Sequence, residues 1–155
     1  MNKLIACIMR VMDTLTPEQR SINMSKIRST DSKPEITVRK MLFKEGFRFR
    51  IHDKKLPGKP DIVLKKYKTV IFVHGCFWHQ HEGCKRANMP KSNVEYWAPK
   101  IERNVQRDKE HAEALKEKGW QVIVVWECEL KNKNNEKLKK QLLEVLTGKP
   151  AYSVL

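Results

Sequence analysis

Apolar residues recur at helical spacing in four stretches of the chain. We predict helices at residues 16–28, 32–45, 92–118 and 134–147. The first three begin with capping boxes, in which Ser or Thr is followed three residues later by Glu or Gln, starting at Thr16, Ser32 and Ser92. Gly46 and Gly119 end the second and third helices, and Pro99 either kinks the third helix or begins its regular part. The second helix is expected to bury Ile36, Val38, Met41 and Leu42, and the fourth Leu138, Leu142, Val145 and Leu146.

Between these helices the hydrophobic pattern changes to that of strands, predicted at residues 47–51, 61–64, 69–73 and 120–126. In the first, Phe47, Phe49 and Ile51 alternate with arginines, so Phe47 and Phe49, like Tyr67, are expected to face a core. The runs TVIFV and WQVIVVW are continuously apolar and are expected to be buried. This order of elements predicts an α/β fold, with a central mixed β-sheet flanked by helices and functional groups gathered where strands end.

The length and composition fit one domain. We expect it over residues 16–148, with a flexible N-terminal extension at 1–15 and a C-terminal tail at 149–155. No apolar run approaches the roughly 20 residues that span a bilayer. The opening MNKLIACIMRV is too short in apolar residues for a signal peptide, and Met12 is as good a start of translation as Met1.

The charge of the chain points to a polyanionic partner. The net charge is +14, and residues 39–68 contain eleven Lys and Arg against three acidic residues. A solvated basic surface is the simpler explanation of such a composition. Because this basic segment lies beside candidate reactive residues, nucleic acid is the favoured partner.

Cysteines and histidines cluster in HGCFWHQHEGC, residues 74–84. Cys76 and Cys84 flank His79 and His81, and Cys128 follows the last predicted strand. Three cysteines and one histidine would complete a closed tetrahedral zinc site that ties this loop to that strand. The alternative is that the cysteines are simply buried thiols. In a chain without a secretory signal, this pattern indicates metal binding in the reducing cytoplasm.

Asp61 follows Pro60 at the start of a short strand, the position at which many nucleases hold magnesium. Their next strand commonly ends in Glu-x-Lys, whereas here it ends in Phe72-Val73-His74. The general base would then be a histidine, whose pKa suits proton transfer near neutral pH. Asp61 could instead be a turn residue, Glu35 is already explained as a capping partner, and His52 is expected to be solvated.

Four segments together resemble the very short patch repair (Vsr) DNA mismatch endonucleases, over about residues 17–147. They are RSINMSKIRSTDSKPE, LPGKPDIVLKKYKTVIFVHGCFWHQHEGC, YWAPKIERNVQRD and WQVIVVWECEL. The resemblance implies a restriction-endonuclease-like fold with a structural zinc site. It also implies Mg²⁺-dependent nicking of one strand, 5′ to the thymine of a T:G mismatch left by deamination of 5-methylcytosine.

The resemblance also implies roles for individual residues. Asp61 and the Val73 carbonyl would hold magnesium, with two ions expected, and His79 would activate water with His74 and Glu35 as supporting groups. One zinc ion would be held by Cys76, His81, Cys84 and Cys128. Two residues separate His81 from Cys84, which leaves His79 as the alternative zinc ligand. DNA would be contacted by the aromatic wedge of Phe77, Trp78 and Trp97, by Lys100 and Asn104 at the mismatched pair, and by Met24 in the minor groove.

The expected partner is double-stranded DNA with a T:G mismatch, together with a MutL-type mismatch-repair protein and a repair polymerase. We expect a monomer in the bacterial cytoplasm, associated with the nucleoid and not with a membrane. Two other functions remain open at this point. One is a zinc-stabilised DNA-binding module without catalysis, and the other is a related nuclease of broader mismatch or junction specificity.

Overall fold

The computed structural model describes residues 30–91, 93–131 and 134–148, together with residues 16, 18, 19 and 22. This part of the chain contains three longer helices, which are α1 (Lys33–Lys44), α2 (Val94–Glu117) and α3 (Asn134–Thr147). It also contains three strands, which are β1 (Ile62–Leu64), β2 (Thr69–His74) and β3 (Gln121–Trp126). The predicted mixed α/β architecture is therefore confirmed.

Little of the predicted first helix can be compared with the structure. Its capping box is confirmed, since the Thr16 N–H donates to Gln19 Oε1 at 2.9 Å and the Gln19 N–H donates to Thr16 Oγ1 at 3.2 Å. Met24 and the predicted terminal segments lie outside the described residues.

The three strands form a mixed sheet in the order β1-β2-β3. β1 runs antiparallel to β2 across a tight 3₁₀ turn at Lys65–Tyr67. β2 and β3 are parallel, with Val73 opposite Val125 and His74 opposite Trp126. A parallel pair needs a long crossover, which here contains α2. The sheet therefore brings the C-terminal ends of β2 and β3, and the loops that follow them, to the same end of the sheet.

The sheet is covered on both faces because its strands are too apolar to leave either face in water. One core joins the sheet to α1 and α3, and its buried members are Val38, Leu42, Phe47, Ile62, Leu64, Ile71, Val125, Leu138, Leu142 and Leu146. On the opposite face, Leu115 of α2 packs on Val63 and Val70. Full burial of one such side chain contributes about 1.5–3 kcal/mol, so the first layer fixes α1 and α3 against the sheet and the second fixes α2.

Helix α1 begins as predicted, but its buried face is narrower. Ser32 is the N-cap and forms the complete capping box with Glu35. Val38 and Leu42 are buried, whereas Ile36, predicted to be buried, is exposed. Ile36 lies one position, or about 100° around the helix, from the buried Glu35. Val145 of α3 is exposed as well, contrary to the prediction.

The strand predicted at residues 47–51 is wrong. Only Arg50 pairs with the sheet, in an isolated antiparallel bridge to Val63. The chain is bent on both sides of that bridge, since the Phe47 N–H donates to the Leu42 carbonyl and His52 has φ +48°. Phe47 is nevertheless buried, and Phe49 and Tyr67 pack against the same core, as expected for core rather than base-stacking residues.

Two further details differ from the sequence patterns. WQVIVVW was expected to be buried, but within β3 only Val125 is, because β3 has one described neighbour and lies at the edge of the sheet. Helix α2 has Asn93 as its N-cap, without a side-chain capping bond, and continues through Pro99 to Glu117. Its end near Gly119 is confirmed, where a φ of +73° favours glycine.

Candidate active site

A cleft of about 910 Å³ lies at the end of the sheet where β2 finishes. Its lining includes the four residues predicted to be catalytic, namely Glu35, Asp61, His74 and His79. They come from α1, from the residue before β1, from the end of β2 and from the following loop. The fold thus brings together residues that are up to 44 positions apart in the chain.

Asp61 is held at the start of β1 by the backbone of β2. Its Oδ2 accepts a hydrogen bond from the Val73 N–H at 2.7 Å. Burial raises the pKa of Asp61 to about 6, and the nearby Glu35 carboxylate adds to that rise, although the Val73 N–H opposes it. The ionised carboxylate is therefore costly here, and a bound cation would stabilise it.

His79 is paired with a carboxylate from α2. Its Nδ1 lies 2.5 Å from Oδ2 of Asp108, and both side chains are about one-quarter exposed, at 27% and 26%. The loop after β2 turns back at this point, since the His79 N–H donates to the Gly75 carbonyl. With its hydrogen on Nδ1 toward Asp108, the ring leaves Nε2 as a proton acceptor.

His74 lies beneath this pair. Its ring stacks on that of His79, with the centroids 3.8 Å apart and the planes 9° from parallel. Burial, and next the adjacent His79 ring, lower the pKa of His74 to about 4. His74 is therefore neutral near pH 7, and it supports the His79 ring without adding a charge.

Glu35 serves first as the capping partner of α1. Its carboxylate accepts hydrogen bonds from the Ser32 backbone and hydroxyl and from Arg39. His52, predicted to be solvated, is instead half-buried, with Nε2 2.9 Å from an Arg39 nitrogen. That prediction is wrong because the loop turns at His52 and folds its ring over α1.

The four residues predicted to bind zinc lie together. Each of Cys76, His81, Cys84 and Cys128 offers one ligand atom, and these atoms are all within 4.8 Å of one another. His81 Nδ1 is 3.6 Å from the Cys76 sulfur and 3.3 Å from the Cys128 sulfur. Its ring stacks on Trp126, with planes 2° from parallel, whereas His79, the alternative ligand, is turned toward Asp108.

The chemistry of this Cys/His cluster suits a soft divalent metal. Three sulfur atoms and one imidazole nitrogen match the usual donor set of a structural zinc site. Burial raises the pKa of the Cys76 thiol to about 12, so its thiolate is unfavourable without a nearby positive charge. A metal ion bound here would supply that charge and would favour the deprotonated thiol.

A cluster of aromatic rings joins the loop after β2 to the first turn of α2. Phe77, Trp78 and Trp97 contact one another edge-on, with centroids 5.1–5.8 Å apart. Tyr96, not singled out from the sequence, extends the cluster and is exposed. The Lys100 ammonium lies 5.2–5.7 Å from the rings of Trp78, Tyr96 and Trp97, which is cation–π distance.

Asn104 is one turn beyond Lys100 on α2 and is engaged by protein groups. Its Nδ2 donates to the Trp78 carbonyl at 3.3 Å, and its Oδ1 accepts from Arg107 at 2.6 Å. Asn104 therefore fixes the aromatic loop onto α2, a contact that the sequence did not indicate.

Similarity to known proteins agrees with this arrangement. The family profile for the DNA mismatch endonuclease Vsr matches residues 12–86. The chain is 41% identical to the DNA mismatch endonuclease Vsr of Escherichia coli K12, over 85% of this chain and 86% of that protein. It belongs to the Vsr family. This Vsr-family chain is also 51% identical to the Type II nicking enzyme V.NmeAIP of Neisseria meningitidis serogroup A, over 86% of this chain and 96% of that protein.

The fold is shared with another nuclease. The catalytic domain of the homing endonuclease I-Bth0305I superimposes with a TM-score of 0.51 at 21% identity, covering 76% of the Vsr-family chain and 97% of that domain. The chain is therefore an endonuclease by family and has a fold found in endonucleases. None of its described helices is long and apolar enough to cross a membrane.

Asp108 is the clearest functional candidate that the residue patterns missed. It ends the YWAPKIERNVQRD segment of the Vsr resemblance but was given no role. The sequence did contain an indication of its role. Asp108 lies one turn beyond Asn104 and therefore on the same face of α2. Arg39 was missed as well, since it read only as part of the basic segment.

Proposed function

We propose that this Vsr-family chain nicks one strand of double-stranded DNA on the 5′ side of the thymine in a T:G mismatch, in a Mg²⁺-dependent reaction. The strongest support for this proposal is that Asp61 and the His79–Asp108 pair line the same cleft. A carboxylate for a hard cation and an oriented imidazole can supply the metal site and the general base for hydrolysis of a phosphodiester.

In this mechanism Asp61 and the Val73 carbonyl would hold magnesium. That ion, when bound, would supply positive charge against the charge that develops on the scissile phosphate. His79 Nε2 takes a proton from the attacking water, and Asp108 stabilises the ring as it becomes positively charged. His74, stacked beneath, keeps the His79 ring in place and excludes water from that side.

Recognition of the mismatch would come from the aromatic cluster. Phe77, Trp78 and Trp97 lie next to the catalytic loop and could enter the base stack, which is cheapest to open at a weakened step. Lys100 reaches the same region from α2. For Asn104 to read the mismatched pair, it would have to exchange its bonds to Trp78 and Arg107 for bonds to a base. The role of Met24 stays a prediction.

We propose that the Cys/His cluster holds one structural zinc ion, and that the fold is of the restriction-endonuclease type. The ion would connect the loop after β2 to the segment after β3, through Cys76 and Cys128. The same loop contains Phe77, Trp78 and His79, so zinc would position both the aromatic wedge and the proposed base. A single domain, a monomeric state and MutL-type and polymerase partners remain predictions.

The proposal is tested with a T:G duplex whose flanking base pairs are randomised, so that every flanking sequence is represented. Wild-type protein with Mg²⁺ should nick the thymine strand, and Asp61→Ala should not. Asp53→Ala is the matched control, because Asp53 lies in the same basic segment and, among the described residues, its side chain bonds only a neighbouring backbone N–H. Wild-type protein that binds this duplex and leaves both strands intact would make the chain a DNA-binding module. Equal cutting of T:C or fully paired duplexes would make it a less specific nuclease.

A further inference from the structure

A second group of charged side chains lies beside the cleft, around Arg39 of α1. The Arg39 guanidinium is 2.5 Å from Oδ1 of Asp31, 2.9 Å from Oε2 of Glu35 and 2.9 Å from Nε2 of His52. The Arg39 and Glu35 side chains are largely buried, at 13% and 5% exposure. The histidine and the two carboxylates are all possible metal ligands, with ligand atoms within 4.8 Å of one another. A guanidinium thus contacts all three members of this potential cation site.

The contact between Arg39 and His52 determines where the histidine carries its hydrogen. A guanidinium nitrogen can only donate, so a ring nitrogen at 2.9 Å from it must accept. His52 Nε2 therefore carries the lone pair, and the hydrogen of the neutral ring is on Nδ1. His52 Nδ1 in turn faces Asp61, at 3.9 Å from Oδ1.

Asp61 is consequently approached by an N–H from each side. Val73 donates to Oδ2 at 2.7 Å, and the Nδ1–H of His52 lies toward Oδ1. The Val73 hydrogen bond restricts the rotation of the carboxylate, and the Nδ1–H of His52, which lies beyond hydrogen-bond distance, acts on Oδ1 through its partial positive charge. The lone pairs that remain are then directed at the cleft, where a cation would bind.

We propose that Arg39 is a positioning residue of the active site, a built-in cation that gathers Asp31, Glu35 and His52 and makes His52 present its Nδ1–H to Asp61. The inference rests on the proposed role of Asp61 in the nicking reaction. Under this proposal the Arg39 guanidinium supplies the positive charge between Asp31, Glu35 and His52. It occupies the position in which a metal ion could otherwise bind.

Removal of Arg39 should move the ring hydrogen of His52 from Nδ1 to Nε2. Its Nε2 also lies 3.6 Å from an oxygen of Asp31 and 3.6 Å from an oxygen of Glu35. Both oxygens are acceptors. Without the guanidinium, the tautomer with its hydrogen on Nε2, facing these oxygens, is therefore the more stable one. A structural role for Arg39 in packing α1 would not by itself predict this change.

The decisive measurement is the ¹⁵N NMR spectrum of the histidine rings, in protein that retains zinc and contains neither Mg²⁺ nor DNA. Wild-type His52, assigned by loss of its signals in His52→Gln, should be the Nδ1–H tautomer. In Arg39→Met the Nε2 of His52 should instead carry a hydrogen, whereas Arg48→Met, which alters an exposed arginine on the Phe43 ring, should match wild type. An Nε2–H tautomer in wild type, or an unchanged His52 in Arg39→Met, overturns the proposal. The wild-type spectrum decides even if Arg39→Met does not fold.

A second measurement connects the tautomer to the reaction. In single-turnover nicking of the T:G duplex at saturating Mg²⁺, Arg39→Met should be slower by about 10- to 100-fold, as for a slightly misplaced catalytic group. Its affinity for the duplex should stay within about threefold of wild type. A wild-type nicking rate in Arg39→Met would overturn the positioning role. Failure of the proposed function would appear differently, as nicking that survives Asp61→Ala, and would leave the His52 spectrum as predicted.

Discussion

The Nδ1 of His79 lies 2.5 Å from Oδ2 of Asp108, although the two residues are 29 positions apart. His79 belongs to the loop after β2 and Asp108 to the middle of α2. The packing of α2 on the sheet, chiefly through Leu115, is what brings them together. The orientation of the proposed base therefore depends on a helix that also presents Lys100 and Asn104.

Asp108→Asn should slow nicking without preventing DNA binding. The amide cannot stabilise a positively charged His79 ring as a carboxylate does, and it can favour the wrong tautomer. We expect the single-turnover rate to fall by about 10²- to 10⁴-fold. Glu110→Gln, an exposed position on the same helix, is the control. A rate for Asp108→Asn within threefold of that control would contradict the role of Asp108.

Asp61→Asn should stabilise the zinc-loaded, magnesium-free protein while abolishing nicking. The folded-state pKa of Asp61 is about 6, above its ordinary value of 3.8, so the protonated form contributes stability that is lost as pH rises through 6. The gain in free energy of unfolding should be about 3 kcal/mol at pH 7.5 and about half of that at pH 5. Urea unfolding at both pH values measures it, with Asp53→Asn as control. A variant less stable than wild type at pH 7.5 would show that ionised Asp61 is not costly.

Removal of zinc should unfold the protein rather than merely stop the chemistry. The Cys/His cluster would connect the loop after β2 to the segment after β3, and binding energy at such sites is folding energy. Chelation followed by far-ultraviolet circular dichroism should show loss of the cooperative thermal transition. Cys128→Ser should behave likewise, whereas Cys7→Ser, outside the predicted ligand set, should retain one zinc ion per chain. An unchanged melting temperature after complete zinc removal would rule out a structural site.

Trp78→Ala should weaken binding to T:G DNA more than the loss of a single lysine does. Base–aromatic stacking is worth about 1–3 kcal/mol, which corresponds to roughly 5- to 150-fold in affinity. Lys66→Ala, in the turn at the opposite end of β2, provides the lysine comparison. Fluorescence anisotropy with matched T:G and T:A duplexes measures both. Equal losses for the two variants, or a Trp78→Ala loss that is the same on both duplexes, would make Trp78 a packing residue.

The periodic elements of the fold could be predicted from the sequence because their determinants are local. The Ser32 capping box, β2 and α3 follow from spacing and end signals within a few residues. The segment at 47–51 could not be predicted, because its alternation is typical of a strand while the bend at His52 depends on tertiary contacts with α1. The exposure of Val124 likewise depends on the position of β3 at the sheet edge.

Those parts of the candidate site whose residues lie together in one short motif could be predicted from the sequence. HGCFWHQHEGC indicated zinc ligands and aromatic contacts within eleven positions. Pairings between distant elements were not accessible in this way. Asp108 with His79, Asn104 with Trp78 and Arg39 with His52 each join a helix to a loop, and nothing in their local sequence specifies the partner.

The central claim is tested most directly by mapping the nick on a Mg²⁺-containing duplex with a single T:G mismatch and both strands end-labelled. Flanking base pairs are randomised, and a T:A duplex from the same pool is the control. We predict one cut in the thymine strand, immediately 5′ of the mismatched thymine, with the guanine strand and the T:A duplex intact. Equal cutting of the T:G and T:A duplexes, or bound T:G DNA with both strands intact, would contradict the claim.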